Sequence, residues 1–386
     1  MVKMGCEVNN TSELKARNMK RCVREICLAG KITKPQLGLQ TGLTSVTTHK
    51  FVNELSEMNF VREAGVSNTS VGKKAIFYEI NPNYGYLVGQ DIYDGEVTTC
   101  LYDFSLHCLR ERHSVIPKEY SEQVLTILCT ELENITEGIP THSIHQIGIT
   151  VSGEVSFEQG IITNSIGMKC WRGIPIKSLL ENRLGIPVVV ENDINASVIA
   201  MKWRNKLTHD FVLLDISYGI GAGILQNGKL YRGANSFAGE IGHIPVKQDG
   251  EICRCGNRGC IETITLQNNI TKRVGETSID RVISRALEGD DKVLEVLRNV
   301  VHYISWVADL VVKVYDPGIL YIANSWLAHF PNFCDEISEY IFTHSTWLTR
   351  DQLAVYYIPE GRVATTYHAA GYLAFDTYLE KGTYIV

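Results

Sequence analysis

Between Gly239 and Glu262 the chain gathers one histidine and three cysteines into a glycine-rich segment. Gly239-Glu240-Ile241-Gly242-His243 is followed by Cys253-Arg254-Cys255-Gly256-Asn257-Arg258-Gly259-Cys260-Ile261-Glu262. One imidazole and three thiols are the ligand set of a closed, four-coordinate structural zinc site, expected within 243–260. Gly256 and Gly259 let the backbone turn tightly between the thiolates. A reduced thiol cluster or a redox pair would use the same residues, and the Cys-x-Cys start is closer than the commoner gap of about two to four residues. Cys6, Cys22, Cys27, Cys100, Cys108, Cys129, Cys170 and Cys334 are scattered through apolar or helical contexts. They are expected to be buried free thiols.

A length of 386 residues implies two or three folding units, and 45% hydrophobic with 21% charged residues is an ordinary soluble balance. Apolar runs such as Ile186 to Val190 are far too short to span a bilayer, and the start of the chain has no apolar signal core. A cytoplasmic location is expected. The net charge of −6 is unevenly spread: residues 1–80 hold twelve Lys/Arg against seven Asp/Glu. A basic head on an acidic body is an electrostatic footprint for nucleic acid at one end.

The head reads as three helices and a hairpin. Leu14, Met19, Val23, Ile26 and Cys27 recur at helical spacing and stop at Ala29-Gly30. Thr33 caps a short helix with Pro35 in its first turn, ended by Thr41-Gly42-Leu43. Thr44 caps the next helix, whose buried stripe is expected to be Val46, Phe51, Val52 and Leu55. This is a helix-turn-helix pattern, with Ser45, Thr47, Thr48 and Lys50 presented to base edges and phosphates of double-stranded operator DNA. Two short strands, 60–63 and 75–80, flank a polar tip carrying Lys73 and Lys74, a wing for the DNA backbone. A helical bundle used for oligomerisation would share the helical pattern.

Asn81-Pro82-Asn83-Tyr84-Gly85 is a turn-rich break, so the expected domains are 1–80 and 81–386. Beyond it strands alternate with helices, the pattern of an α/β domain with a ligand cleft at strand ends. The strand Pro187 to Glu191 delivers Asn192 and Asp193 directly before a helix. Asp193 could take a hydroxyl proton, hydrogen-bond a polyol or cap the helix. Gly219, Gly221 and Gly223 suit either a phosphate or a hairpin turn. The helix from Val300 to Tyr315 is expected in a core rather than at an interface.

These features together resemble the ROK family (repressors, open reading frames and kinases) over essentially the whole chain. The wing followed by Asn-Pro-x-x-Gly-Tyr, Trp171-Arg172-Gly173-Ile174-Pro175, Glu191-Asn192-Asp193 and the Glu-Ile-Gly-His segment with its cysteine knuckle occur in order. The head points to the repressor branch. The resemblance implies an α/β architecture: a winged helix-turn-helix followed by a two-lobed, actin-like (ribonuclease H-like) sugar-kinase body with a zinc knuckle. It implies His243, Cys253, Cys255 and Cys260 as Zn2+ ligands. It implies Gly153, Asn192, Asp193, Glu240, His243 and Glu262 at the sugar, with Asp193 matching the catalytic base of the kinases.

The family's kinases hold nucleotide phosphates with three glycine-bearing loops. Here the first reads Asp91-Ile92-Tyr93-Asp94-Gly95-Glu96, where Asp94 and Glu96 would bring like charge to the phosphates. The second has Ser217-Tyr218 where Gly-Thr is usual. The third reads Ile322-Ala323-Asn324-Ser325, with no glycine. Phosphoryl transfer depends on positioning and charge neutralisation of those phosphates, so no kinase activity is expected and Asp193 would be vestigial. The expectation is a DNA-binding repressor of carbohydrate-utilisation genes, a homodimer or dimer of dimers, relieved by a sugar or sugar phosphate. An active sugar kinase with a fused head is the alternative, and a repressor controlled by a protein partner is a third reading.

Overall fold

The computed structural model describes residues 11–67, 74–165, 168, 170–217, 219–361, 366 and 368–384. The chain divides into two compact units. The first is Met1–Glu191, Trp203–Leu207 and His368–Val386, and the second is Asn192–Lys202 and Thr208–Tyr367.

The first unit begins with α1 (Thr11–Ala29), β1 (Ile32–Thr33), α2 (Lys34–Thr41), α3 (Ser45–Glu57), β2 (Val61–Val66) and β3 (Ile76–Ile80). Local sequence sets the helix ends. Thr33 caps α2 in a reciprocal box with Gln36, and Pro35 sits where its missing N–H costs nothing. Gly42 closes α2 in the left-handed region, and the Thr44 hydroxyl caps α3 by accepting from the Thr47 N–H. The three strands form a sheet in the order β1-β3-β2.

The stripe of α3 differs from the one expected. Val46 is 80% exposed, whereas Thr48 is buried with Phe51, Val52 and Leu55. The spacing 48, 51, 52, 55 is a true helical face. Thr48 fits there because its hydroxyl donates to the Thr44 carbonyl at 3.0 Å. Thr48 is therefore a packing residue rather than an exposed reader.

The segment after β3 is stitched into the body. Asn81 donates through its side chain to the Asn59 carbonyl (2.8 Å) and through its backbone to Phe60 (3.0 Å). The Phe60 ring meets Tyr84, Phe104 and Tyr384 edge-on or stacked at 4.8, 5.6 and 4.5 Å. His145 stacks on Tyr84 at 4.8 Å. Burial holds the His145 imidazole below its ordinary value. A depressed imidazole favours the folded state only while both states are neutral, so acid costs stability. Thermal unfolding should lose stability as pH falls below about 6.5, the ordinary imidazole value, and His145→Phe should flatten that slope in melts from pH 7.5 to 5.

The rest of the unit is a five-stranded sheet built from β4 (Tyr86–Tyr93), β5 (Glu96–Asp103), β6 (Cys108–Val115), β7 (Ile144–Val151) and β10 (Val188–Asn192). Its order is β10-β7-β4-β5-β6. β8 (Gly153–Ser156) and β9 (Ile161–Ser165) make a separate hairpin. α4 (Glu122–Ile135), α5 (Ile176–Leu184) and the C-terminal α12 (Ala369–Lys381) cover the sheet, with α12 against β4 and β7. Gly89 and Gly148 allow this approach, since a Cβ on either would meet α12 backbone.

The second unit repeats that strand order. β11 (Phe211–Ile216), β12 (Ile220–Gln226), β13 (Lys229–Leu230), β14 (Ile319–Ala323) and β15 (Ala354–Ile358) run β13-β12-β11-β14-β15. A meander followed by parallel strands thus occurs twice. α6 (Asp193–Arg204) enters this unit through its first turns. α7 (Glu262–Thr265), α8 (Gln267–Val274), α9 (Ile279–Leu287), α10 (Asp291–Tyr315) and α11 (Pro331–His344) complete it. α10 is a core helix as expected, burying Val300, Ile304, Val307 and Val311, although Val314 is exposed. Among the described residues no helix is long and apolar enough to cross a membrane.

Candidate functional site

The cysteine segment folds into a knuckle within the second unit. Isolated bridges pair Pro245 with Cys260 and Ile252 with Arg258. Cys253 N–H donates to Asn257 O (2.7 Å) and Gly256 N–H to Cys253 O (2.9 Å), closing a tight turn between the first two thiols. Gly259 has φ 72°, and a Cβ there would run into the Lys247 carbonyl. Ile261, fully buried, anchors the knuckle in the core.

This turn brings the donor atoms of His243, Cys253, Cys255 and Cys260 within 4.8 Å of one another. Cys253 Sγ lies 3.6 Å from His243 Nδ1, and Cys255 Sγ 3.7 Å from Cys260 Sγ. Burial raises the Cys253 thiol and pushes Cys260 up to about 12. At Cys255 burial acts the same way, but hydrogen bonds from the Asn257 backbone, Cys253 and Cys260 prevail and lower it. Four soft or borderline donors in one convergent set fit a transition metal ion.

The polar residues beside the knuckle share its framework. His243 turns Nδ1 towards the thiols, and its Nε2 lies 4.0 Å from Glu240 Oε2. Glu262 opens α7 and is 2% exposed, with Oε2 3.8 Å from His243 Nδ1. Its Oε1 accepts from the Ile220 backbone N–H at 3.1 Å and from Arg254 at 2.6 Å. Arg254 was not singled out in the sequence. The available signal was its place between Cys253 and Cys255, which the fold aims at Glu262.

Asn192 and Asp193 stand at the junction of β10 and α6. Asn192 caps the helix, its Oδ1 accepting from Ile194 N–H (2.9 Å) and Asn195 N–H (3.2 Å), and Asp193 Oδ1 shares the Ile194 N–H at 2.9 Å. Asp193 is the buried first residue of the helix. Gly153 belongs to the other unit, where it opens β8 opposite Ser165 with no room for a side chain beside the Asn164 carbonyl.

Of the three loops compared with nucleotide-binding loops, the first and third lie wholly within the described residues. Asp94 and Gly95, with φ 49° and 87°, form the two-residue turn of the β4–β5 hairpin, and Asp94 pairs with Lys118 at 2.7 Å. Gly221 and Gly223 lie on β12, where a Cβ would strike Ile194 and Val198 of α6, so helix packing explains them. Tyr218 lies outside the described residues. In the third loop the buried Asn324 side chain accepts from the Trp326 and Leu327 N–H groups at 2.9 Å and donates to Ile216 O at 2.6 Å.

On the head, Ser45 and Lys50 are exposed and Thr47 half-buried at the start of α3, with Thr44 Oγ1 and Thr47 Oγ1 2.9 Å apart. Val46 and His49 are exposed on the same helix and were not predicted as part of the reading surface. Lys74 is exposed, and Lys73 lies outside the described residues.

Residues 88–362 match the model of the ROK family. A xylose repressor of Bacillus spizizenii (strain W23) is 27% identical over 339 residues, covering 86% of this chain and 88% of its own. The DNA-binding transcriptional dual regulator NagC of Escherichia coli K12 is 24% identical over 343 residues, 82% of each chain. Among solved structures, a ROK family transcriptional regulator, homologous to the E. coli MLC protein, superposes with a TM-score of 0.76 at 22% identity. It covers 95% of this chain and 99% of its own. A ROK family glucokinase from Streptomyces griseus, in complex with glucose and AMPPNP, gives 0.61 at 22% identity over 76% of this chain and 100% of its own. These two structural likenesses establish the mixed α/β, sugar-kinase-like fold of the body.

Proposed function

This chain belongs to the ROK family, and on that premise we propose that it is a sugar-responsive, DNA-binding transcriptional repressor. The observation that carries the reading is a prepared polar constellation, Glu240, His243 and Glu262, fixed by the knuckle in a chain whose basic head exposes a capped helix. Zinc is the metal proposed for the knuckle, held by His243, Cys253, Cys255 and Cys260. When bound it neutralises thiolate charge and locks the loop that positions His243. With Nδ1 turned to the thiols, His243 offers Nε2 to a sugar hydroxyl. Glu240 and Glu262 accept further hydroxyl protons, and Asn192 and Asp193 of the same unit are proposed to complete the set. Glu262 is buried, His243 half-buried and Glu240 exposed, so the set is anchored at its inner end and open to a polyol at its outer one.

The head, residues 1–80, is proposed to be a winged helix-turn-helix, with 81–386 as the ligand-binding body. Ser45, Thr47, Lys50 and Lys74 would meet DNA, and Val46 adds an apolar surface suited to a thymine methyl. Lys73 remains part of the proposed set. Two such heads reading half-sites call for a homodimer or dimer of dimers acting in the cytoplasm. Sugar binding and DNA binding are then linked through one coupling free energy, with sugar favouring release.

Kinase activity is not proposed. Asn324 fills the third loop with its own side chain, and the first loop is a tight two-residue turn whose Asp94 carboxylate is held by Lys118, so neither offers an open glycine backbone to nucleotide phosphates. Both xylose and N-acetylglucosamine repressors occur among the relatives, which directs the choice of probes.

The test is a thermal-shift panel of xylose, N-acetylglucosamine, glucose, their phosphates and ATP–magnesium on the full chain. A sugar at about 100 times its Kd should add about 2.7 kcal/mol to stability, and ATP–magnesium should add nothing. The same sugar should release a duplex selected from a random-sequence library. Sugar-dependent ADP formation would replace the repressor reading with the kinase one.

A further inference from the structure

We propose a second metal site, for a zinc-class divalent transition metal, formed by Cys100, Cys108, Glu111 and His368 in the first unit. Their donor atoms lie within 4.8 Å of one another. Two thiols, an imidazole and a carboxylate form a borderline-soft set that suits four-coordinate zinc. Bonds of about 2.0–2.3 Å in a tetrahedron separate donors by roughly 3.3–3.8 Å, so small side-chain adjustments complete the shell.

The backbone builds this cluster through one irregularity. Cys100 on β5 faces Glu111 on β6, and Tyr102 faces Cys108. Residues three apart on a regular strand point to opposite faces. The register shift at Leu101/Tyr102 inserts one extra residue on β6, which returns Cys108 to the face of Glu111. A bulge that re-aims one thiol towards another is the kind of feature found beside functional sites.

His368 arrives from a distant part of the sequence. It caps α12 with φ 61°, a left-handed conformation costly for a residue with a Cβ. Its ring stands edge-on to Tyr102 at 5.4 Å, and its Nε2 lies 3.9 Å from Glu111 Oε2. Beside it, the Ala370 N–H donates to Asp91 at 3.2 Å, and Gly371 sits against the Tyr102 ring. A metal held here would cross-link β5, β6 and the start of α12. This second site does not depend on the sugar-repressor reading.

Metal content per chain, measured by plasma mass spectrometry on the reduced full-length protein, tests the proposal. Cys108→Ser and His368→Gln should each remove one equivalent of zinc, and Cys255→Ser should remove a different one. The double variant, Cys108→Ser with Cys255→Ser, should be metal-free. Cobalt titration of Cys255→Ser should still give a thiolate-to-cobalt absorption band, which needs no variant of the new site. Unchanged zinc in folded Cys108→Ser, no cobalt band in Cys255→Ser, or a Cys100–Cys108 disulfide in protein isolated without reductant would each overturn the proposal.

Discussion

Cys260→Ser is expected to abolish binding of the metal proposed for the knuckle and to lower the thermal midpoint by roughly 10 °C. Loss of a structural metal belongs with the few single changes that cost above about 4 kcal/mol. A unit of this size shifts by about 2–4 °C per kcal/mol. The cause is specific to the packing. Cys260 is fully buried, bridges to Pro245 and precedes the core residue Ile261. In the variant two thiols, an imidazole and a serine hydroxyl converge with no metal to join them. Sugar-induced stabilisation should vanish as well, because His243 and Glu262 are carried by the same turn. Retention of metal and midpoint together in Cys260→Ser would refute the structural role.

Glu262→Gln is expected to weaken sugar binding by at least 100-fold, with DNA binding kept. A hundredfold is about 2.7 kcal/mol, the scale of a lost hydrogen bond to a charged group. The amide can still accept from Ile220, so the fold should survive, but Arg254 loses its ionic partner. The converse change separates the two roles. Arg254→Ala leaves a buried carboxylate without its guanidinium, which costs about 3–5 kcal/mol for a fully buried pair. Here the cost should be nearer 2 kcal/mol, since the Arg254 side chain is 37% exposed. Titration calorimetry with the identified sugar, beside urea unfolding, distinguishes them. Equal sugar affinity in wild type and Glu262→Gln would remove Glu262 from the site.

Much of this was legible because short-range chemistry dictates it. Thr33, Gln36, Gly42 and Thr44 each determine a helix end through bonds to residues two to four positions away, and the expected ends are those observed. The knuckle was readable for the same reason, since three of its four converging donors lie within eight residues. Thr48 and Val46 were exchanged because a hydroxyl that bonds its own helix is as buriable as a methyl, which hydrophobicity alone does not reveal. Cys100 and Cys108 read as scattered thiols because a bulge, not spacing, puts them together, and His368 joins them from 260 residues beyond Cys108. Arg254 was silent until the turn aimed it at Glu262.

The aromatic seam around Phe60 bears on how such proteins diversify. A recombination event at residue 80 would transplant α3 but leave Tyr84, Phe104 and Tyr384, with His145 stacked on Tyr84, without the Phe60 ring that the first three meet. On the proposed role of α3, the cheapest evolutionary route to a new operator is therefore substitution on its outer face, around Ser45, Val46 and His49, which touches none of that seam. Lineages descending from this chain should change what they read by altering letters, while head and body are inherited as one indivisible piece.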